Sequence, residues 1–254
     1  MDKFLKMPID SADQVLETFA QLPGAVVGKG SAPMERYVYV PGSRTDRILL
    51  VAHADTVWDQ QYGNPAQQEI VLENGIYRGT NPDCGIGADD RAGCAMLWAL
   101  KDSGHSLLVL DGEEHGKIGA RYLRDSDPKL YKELNHHRFM MEFDWTRPGG
   151  CLYSQVKNTQ KFKKYIKTAL GCTDDHNNGG CDLQILCRRI CGVNIGIGYK
   201  NNHKPEEVLV LDGWVKACKK ISEFLRPEHP CFKIPAGKRF WAFFRRTIRK
   251  VIKK

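Results

Sequence analysis

Short apolar runs that stop at turns rich in glycine or carboxylates recur along the chain. Arg47–Ala52 (RILLVA), Ser106–Leu110 (SLLVL), Arg138–Phe143 (RFMMEF) and Val193–Ile197 are such runs. Uninterrupted runs of this length read as strands buried on both faces. Arg36–Val40 (RYVYV) alternates instead and stops at Pro41-Gly42, as a half-buried strand does. Glu69–Leu72 and Ile76–Arg78 flank Glu73-Asn74-Gly75, a hairpin signal. Ser11–Leu22 has helical spacing, with Val15, Phe19 and Leu22 on one face and Pro23-Gly24 as its stop. Ala92–Lys101, Lys117–Arg124, Asn158–Leu170, Cys181–Ile190 and Asp212–Leu225 read as further helices. In the last, Val215, Cys218, Ile221, Phe224 and Leu225 are expected inward. The glycine-rich turn Gly85–Gly93 opens the helix before strand Ser106–Leu110, a βαβ rhythm. The expected fold is therefore α/β: three layers, α/β/α, around a mixed, mainly parallel sheet.

At 254 residues and 42% hydrophobic content the chain can bury a real core, and no apolar run reaches the length of a membrane span. The N-terminal MDKFLKMPID lacks a signal peptide's apolar block, which makes the cytoplasm the expected compartment. Nine cysteines, an odd number spread from Cys84 to Cys231, are expected as reduced thiols. Cys187 and Cys191 have no CxxC pair beside them, which argues against a structural zinc site. The net charge of +8 is a tail property, because residues 226–254 hold ten Lys/Arg against one Glu. A nearly neutral body argues against a specific nucleic-acid partner. Residues 1–226 read as one catalytic domain. Residues 227–254 read as a linker, broken by Pro227, Pro230 and Pro235, followed by a basic tail. Over Gly237–Lys254, Phe240, Trp241, Phe244, Ile248, Val251 and Ile252 fall near one helical face, and Arg245, Arg246, Arg249, Lys250, Lys253 and Lys254 crowd the other. Such a helix either lies on an anionic membrane or docks on the domain with its charges in water.

The chemistry sits at the ends of the apolar runs. They deliver His53 and Asp55, then Asp89, then Glu113 and Glu114, then Asp144, then His203. Each alone has an ordinary reading: a chance His-x-Asp, a capping aspartate, a solvated acidic turn, a surface histidine. Parallel strands, however, bring their carboxyl ends to one crevice. Several carboxylates and two imidazoles gathered there call for a cation, since unpaired buried charges are expensive. Mixed His/Asp/Glu ligation suits zinc, with manganese or cobalt as alternatives. Two metals about 3.5–4 Å apart would need one bridging carboxylate. Glu142 rivals Asp144, because the two flank Phe143 on the same side of a regular strand. His115, His176, Asp182 and Arg147 are candidates for peripheral contacts, and His136-His137 read as solvated.

Together LLVAHADTV, GIGADDRAG, VLDGEEHG, MEFD and GYKNNHKPEE, spanning about residues 47–208, resemble the co-catalytic di-zinc exopeptidase clan in content and order. That clan holds aminopeptidases, carboxypeptidases, tripeptidases and aminoacylases. The resemblance implies two divalent ions and hydrolysis of a small peptide or N-acyl amino acid. It makes His53, Asp89, Glu114, Asp144 and His203 the metal ligands, with Asp89 bridging. It makes Glu113 the general base, Asp55 the support of His53, and Asp90 a supporting neighbour. Larger clan members insert a lid between the last two ligands. Only 58 residues separate Asp144 from His203 here, so no lid domain is expected. The alternative is a catalytically inactive relative that binds a metal or ligand, held at a membrane by its tail.

Overall fold

The alternation within each buried strand decides which layer it feeds. In the computed structural model, which describes residues 1–59, 67–153, 155–175 and 179–235, β3 (Leu49–His53) sends Leu50 and Ala52 to one face and Leu49 and Val51 to the other. The first face is covered by α1 (Asp2–Leu5), α2 (Asp13–Ala20), α3 (Ala88–Ala99), α6 (Gln160–Leu170) and α8 (Leu211–Phe224). The second is covered by α4 (Ile118–Ser126), α5 (Pro128–Leu134) and α7 (Leu183–Leu186). Period-two side chains sandwiched between helices make the three-layer α/β/α arrangement expected from the sequence.

The central sheet runs β1-β2-β6-β3-β7-β10-β8-β9. Its middle strands, β6 (Ser106–Leu110), β3, β7 (Met140–Trp145) and β10 (Gly192–Gly196), are parallel. On one flank β1 (Val26–Lys29) and β2 (Arg36–Val40) are antiparallel additions. On the other, β8 (Gly150–Leu152) runs antiparallel to β10 and parallel to β9 (Thr173–Asp175). A smaller antiparallel sheet joins β4 (Ile70–Glu73), β5 (Ile76–Gly79), β11 (Tyr199–Lys200) and β12 (Val208–Val210), with the Asn74-Gly75 hairpin at one end.

Several expectations are corrected. Cys151 and Cys172 form a disulfide, with Cα atoms 5.9 Å apart, while the other seven cysteines are free. The pairing of β8 with β9 brings Cys172, just before β9, beside Cys151. The expected Cys181–Ile190 helix shrinks to α7, because Asn135 Oδ1 takes the amides of Arg188 and Arg189 at 2.9 and 2.8 Å and draws that stretch out of helix. Val215 faces solvent. Trp214 takes the inward place, its Nε1 donating to the Ala92 carbonyl at 3.0 Å. His137 is buried, with Nε2 2.8 Å from Ser106 Oγ and Nδ1 3.0 Å from the Leu134 carbonyl. After α8 the chain packs back on the sheet, with Phe232 and Ile234 buried and Phe232 N donating to Arg138 O at 2.9 Å. His176 and the expected tail helix lie outside the described residues.

Candidate metal centre

Three parallel strands end on the same side of the sheet and supply the first residues. β3 ends in His53, and Asp55 follows two positions later. β6 runs into Asp111-Gly112-Glu113-Glu114. β7 carries Asp144 near its end. Asp89 enters from the start of α3, and His203 from the turn between β11 and β12. His53 Nε2 lies 3.2 Å from Asp89 Oδ1 and 3.7 Å from Asp144 Oδ1. His203 Nε2 lies 3.1 Å from Asp89 Oδ2 and 2.8 Å from Glu114 Oε1. Two sets of three donors result, His53/Asp89/Asp144 and Asp89/Glu114/His203, each with its donor atoms within 4.8 Å of one another. Asp89 belongs to both and turns one oxygen to each imidazole.

The local sequence explains these positions. Opposite Ile195 of β10, β7 has two residues, Phe143 and Asp144, and this bulge breaks the strict alternation. Asp144 is thereby aimed at His53, while Glu142 accepts from the amides of Asp182 and Leu183 at 3.2 and 3.3 Å. Asn194 Oδ1 takes the Asp144 amide at 2.9 Å, and Tyr199 OH donates to Asp144 Oδ1 at 2.8 Å. Asp55 lies 3.3 Å from His53 Nδ1, and its carboxylate also accepts from the amides of Glu113 and Glu114 at 3.0 and 3.2 Å. Asp90 takes the His53 amide at 3.2 Å and the Gly93 amide at 2.9 Å; a Cβ on Gly93 would run into that carboxylate. The Asp89–Asp90 peptide bond is cis. Glu113 is buried, with Oε1 2.8 Å from Lys117 Nζ.

No protein-family profile matches the sequence, and no curated protein sequence matches it. Solved structures do match. Aminopeptidase PepT from Bacillus cereus superposes with a TM-score of 0.65 at 12% identity, over 88% of this chain and 95% of that one. A tripeptidase from Staphylococcus aureus gives 0.61 at 13% identity, over 88% and 95%. An endoglucanase from Thermotoga maritima gives 0.55 at 10% identity, over 88% and 95%. This chain shares the fold of these solved aminopeptidase, tripeptidase and endoglucanase structures. Fold alone does not fix a reaction, so the chemistry has to be argued from the site.

At the site itself the side chains' own electrostatics favour a cation. Burial, and then the negative charge of Asp89, hold the Asp144 carboxyl well above the usual range and push Glu114 up to about 7. Burial alone would depress His53, but the carboxylates of Asp144, Asp55 and Asp89 more than reverse this. Hydrogen bonds to Asp89 and Glu114 raise His203 to about 11. A divalent ion in each set of three would let the carboxylates ionise and the imidazoles become neutral, the forms that ligate metals. The donor set, two imidazoles with carboxylates and no thiolate, therefore fits two such ions.

All seven residues expected at the centre converge there. Asp182 is buried beside Glu142 and Glu113 in charge terms but joins neither donor set; Arg147 is exposed and His115 half-buried. Sequence reasoning passed over Glu207, which accepts from the amides of Gly87 and Asp89 at 2.8 and 3.0 Å and pins the loop that presents Asp89. It also passed over Asn202, whose Nδ2 donates to Asp89 Oδ2 at 2.8 Å, and over Asn194, Tyr199 and Lys117. The available signal was the place of Asn202 and Glu207 in the same motif as His203.

Proposed function

We propose that this chain is a metal-dependent hydrolase of peptide or N-acyl amide bonds, acting on small peptides or N-acyl amino acids. The observation that carries this reading is Asp89, whose two oxygens each face a separate histidine-containing donor set. In the proposal His53, Asp89 and Asp144 hold one divalent ion, and Asp89, Glu114 and His203 hold the other. Zinc is the first choice, with cobalt or manganese as alternatives. Bound there, the ions supply an acidified water and polarise the scissile carbonyl. Glu113 takes the proton of the attacking water and later gives it to the departing amine. Lys117 steadies the Glu113 carboxylate from 2.8 Å. Asp55 fixes the tautomer of His53 and holds Glu113 and Glu114 in register through their amides. A glycosidase needs a pair of carboxylates flanking a sugar and no paired histidine ligands, so the donor set favours amide over glycosidic bonds.

The test combines metal analysis with one substitution. Zinc-loaded protein should carry two ions per chain and cleave members of a panel of aminoacyl, dipeptide and N-acyl substrates. Glu113→Gln should keep both ions and lose turnover by about 10²–10⁴-fold. Full activity in Glu113→Gln, or an inert but folded and zinc-loaded wild type, would sink the reading.

A further inference from the structure

The end of the sheet opposite the candidate metal centre holds a second concentration of charge. Arg47 precedes β3 and Arg138 precedes β7, each six residues upstream of His53 and Asp144 respectively. At about 3.3 Å per residue this is roughly 20 Å from the donor sets. Between the two arginines lies a cavity of about 300 Å³, lined among others by Arg47, Arg138, Lys233, Asn135, His136 and Cys231. None of its lining residues is an aspartate or glutamate. The carboxylate that approaches Arg47 is Glu133, with Oε1 3.9 Å from Nη2. Arg188 and Arg189 adjoin the rim, tied by their amides to Asn135, and both are exposed.

The site is built rather than incidental. Arg138 N donates to Arg47 O at 2.8 Å, Phe232 N donates to Arg138 O at 2.9 Å, and Lys233 forms a bridge with Ile190. Three separate segments are thus clamped around one space lined by Arg47, Arg138 and Lys233, with Arg47 Nη1 donating to the Gly42 carbonyl at 3.2 Å. Arg138 Nε is buried there and has no acceptor among the described residues. Leaving a buried donor unpaired is unfavourable, and an anion in the cavity would supply its acceptor.

We propose that this depression binds a phosphate group. Two arginines and a lysine lining one cavity suit a dianion with several acceptor oxygens better than a singly charged carboxylate. The ligand is a phosphate monoester, either soluble or the terminal phosphate of a phospholipid such as phosphatidic acid. The C-terminal sequence favours the second source. Pro235 lies two residues past Lys233, and the stretch 226–254 carries ten Lys/Arg against one Glu, with aromatic and aliphatic residues interleaved. Polybasic, apolar-interleaved segments of this kind are drawn to anionic lipid surfaces.

Cys231 lines the cavity as a free, half-buried thiol, so its alkylation rate in the intact chain reports occupancy. Inorganic phosphate and glycerol phosphate should protect Cys231, while acetate at equal ionic strength should not. Lys233→Gln, at an exposed position, should weaken that protection about ten-fold, and Arg138→Gln with Lys233→Gln should abolish it, with amide hydrolysis unchanged. Weaker sedimentation of the double variant with phosphatidic acid vesicles, but not with phosphatidylcholine vesicles, identifies the headgroup as the source. Unchanged vesicle binding with lost phosphate protection identifies a soluble ester. Absence of protection by phosphate, equal protection by acetate, or protection that survives both substitutions overturns the site.

Discussion

His137 shows how far a single side chain can depart from its sequence context. Its imidazole is buried between Ser106 Oγ and the Leu134 carbonyl, and burial, reinforced by the nearby charge of Arg47, pushes its pKa down to about 4. The folded protein therefore binds this proton less readily than the unfolded chain, where histidine titrates near 6.5. Stability from this group is complete above about pH 6.5 and drains away as pH falls towards 4, by about 2 kcal/mol between pH 7 and 5. Urea unfolding across that range should show a smaller loss in His137→Gln than in wild type; identical slopes would mean that His137 binds protons equally in the folded and the unfolded chain. The donor residues behaved differently from His137. His53, Asp89, Glu114 and His203 were legible because each follows an apolar run or a glycine turn, and such ends converge. Glu207 was not, because its role is a bond to amides 118 and 120 residues away. The choice between Asp144 and Glu142 could not be read either, since it rests on a bulge that only the partner strand β10 defines.

At the scale of elements, the flank formed by β8 and β9 depends on a covalent clasp. Each of these strands has three residues, and the Cys151–Cys172 bond joins them across 21 positions of sequence. Cross-linking a loop of that length restricts the unfolded chain and is worth about 3 kcal/mol. Replacing both cysteines by serine should lower the unfolding free energy by about that amount, and non-reducing peptide mapping should recover the Cys151–Cys172 pair. Equal denaturation midpoints with and without reductant would show that the bond carries no stability. Such a bond persists where the surroundings are oxidising, which sets it against the cytoplasmic expectation drawn from the first ten residues. Two of the longer strands were readable to the residue, β2 and β6 coinciding with the runs Arg36–Val40 and Ser106–Leu110, while β3 and β7 begin two residues later than their runs. The elements β8, β9, β11 and β12 were not, because a strand of two or three residues has no period of its own. The disulfide was hidden for the same reason: its partners meet only once those strands have paired.

Across the whole molecule, the sheet gathers Asp55, Asp89, Asp90, Glu113, Glu114 and Asp144 at one end, where His53, His203 and Lys117 offset them at close range. The folded chain brings these carboxylates together and the unfolded chain separates them, so a divalent cation should bind the native state selectively. Ligand at a hundred times its dissociation constant stabilises by about 2.7 kcal/mol, which in a chain of this size is about 5–10 °C in melting temperature. Zinc added to chelator-treated protein should raise the midpoint by about that much per site. The sharing of Asp89 makes the effect unequal among variants. Asp89→Asn removes a donor from both sets and should abolish the shift, whereas His203→Ala weakens one set and should leave part of it. A full zinc shift in Asp89→Asn would mean that the two donor sets are not joined through that carboxylate, and a bridged pair of ions would lose its structural basis.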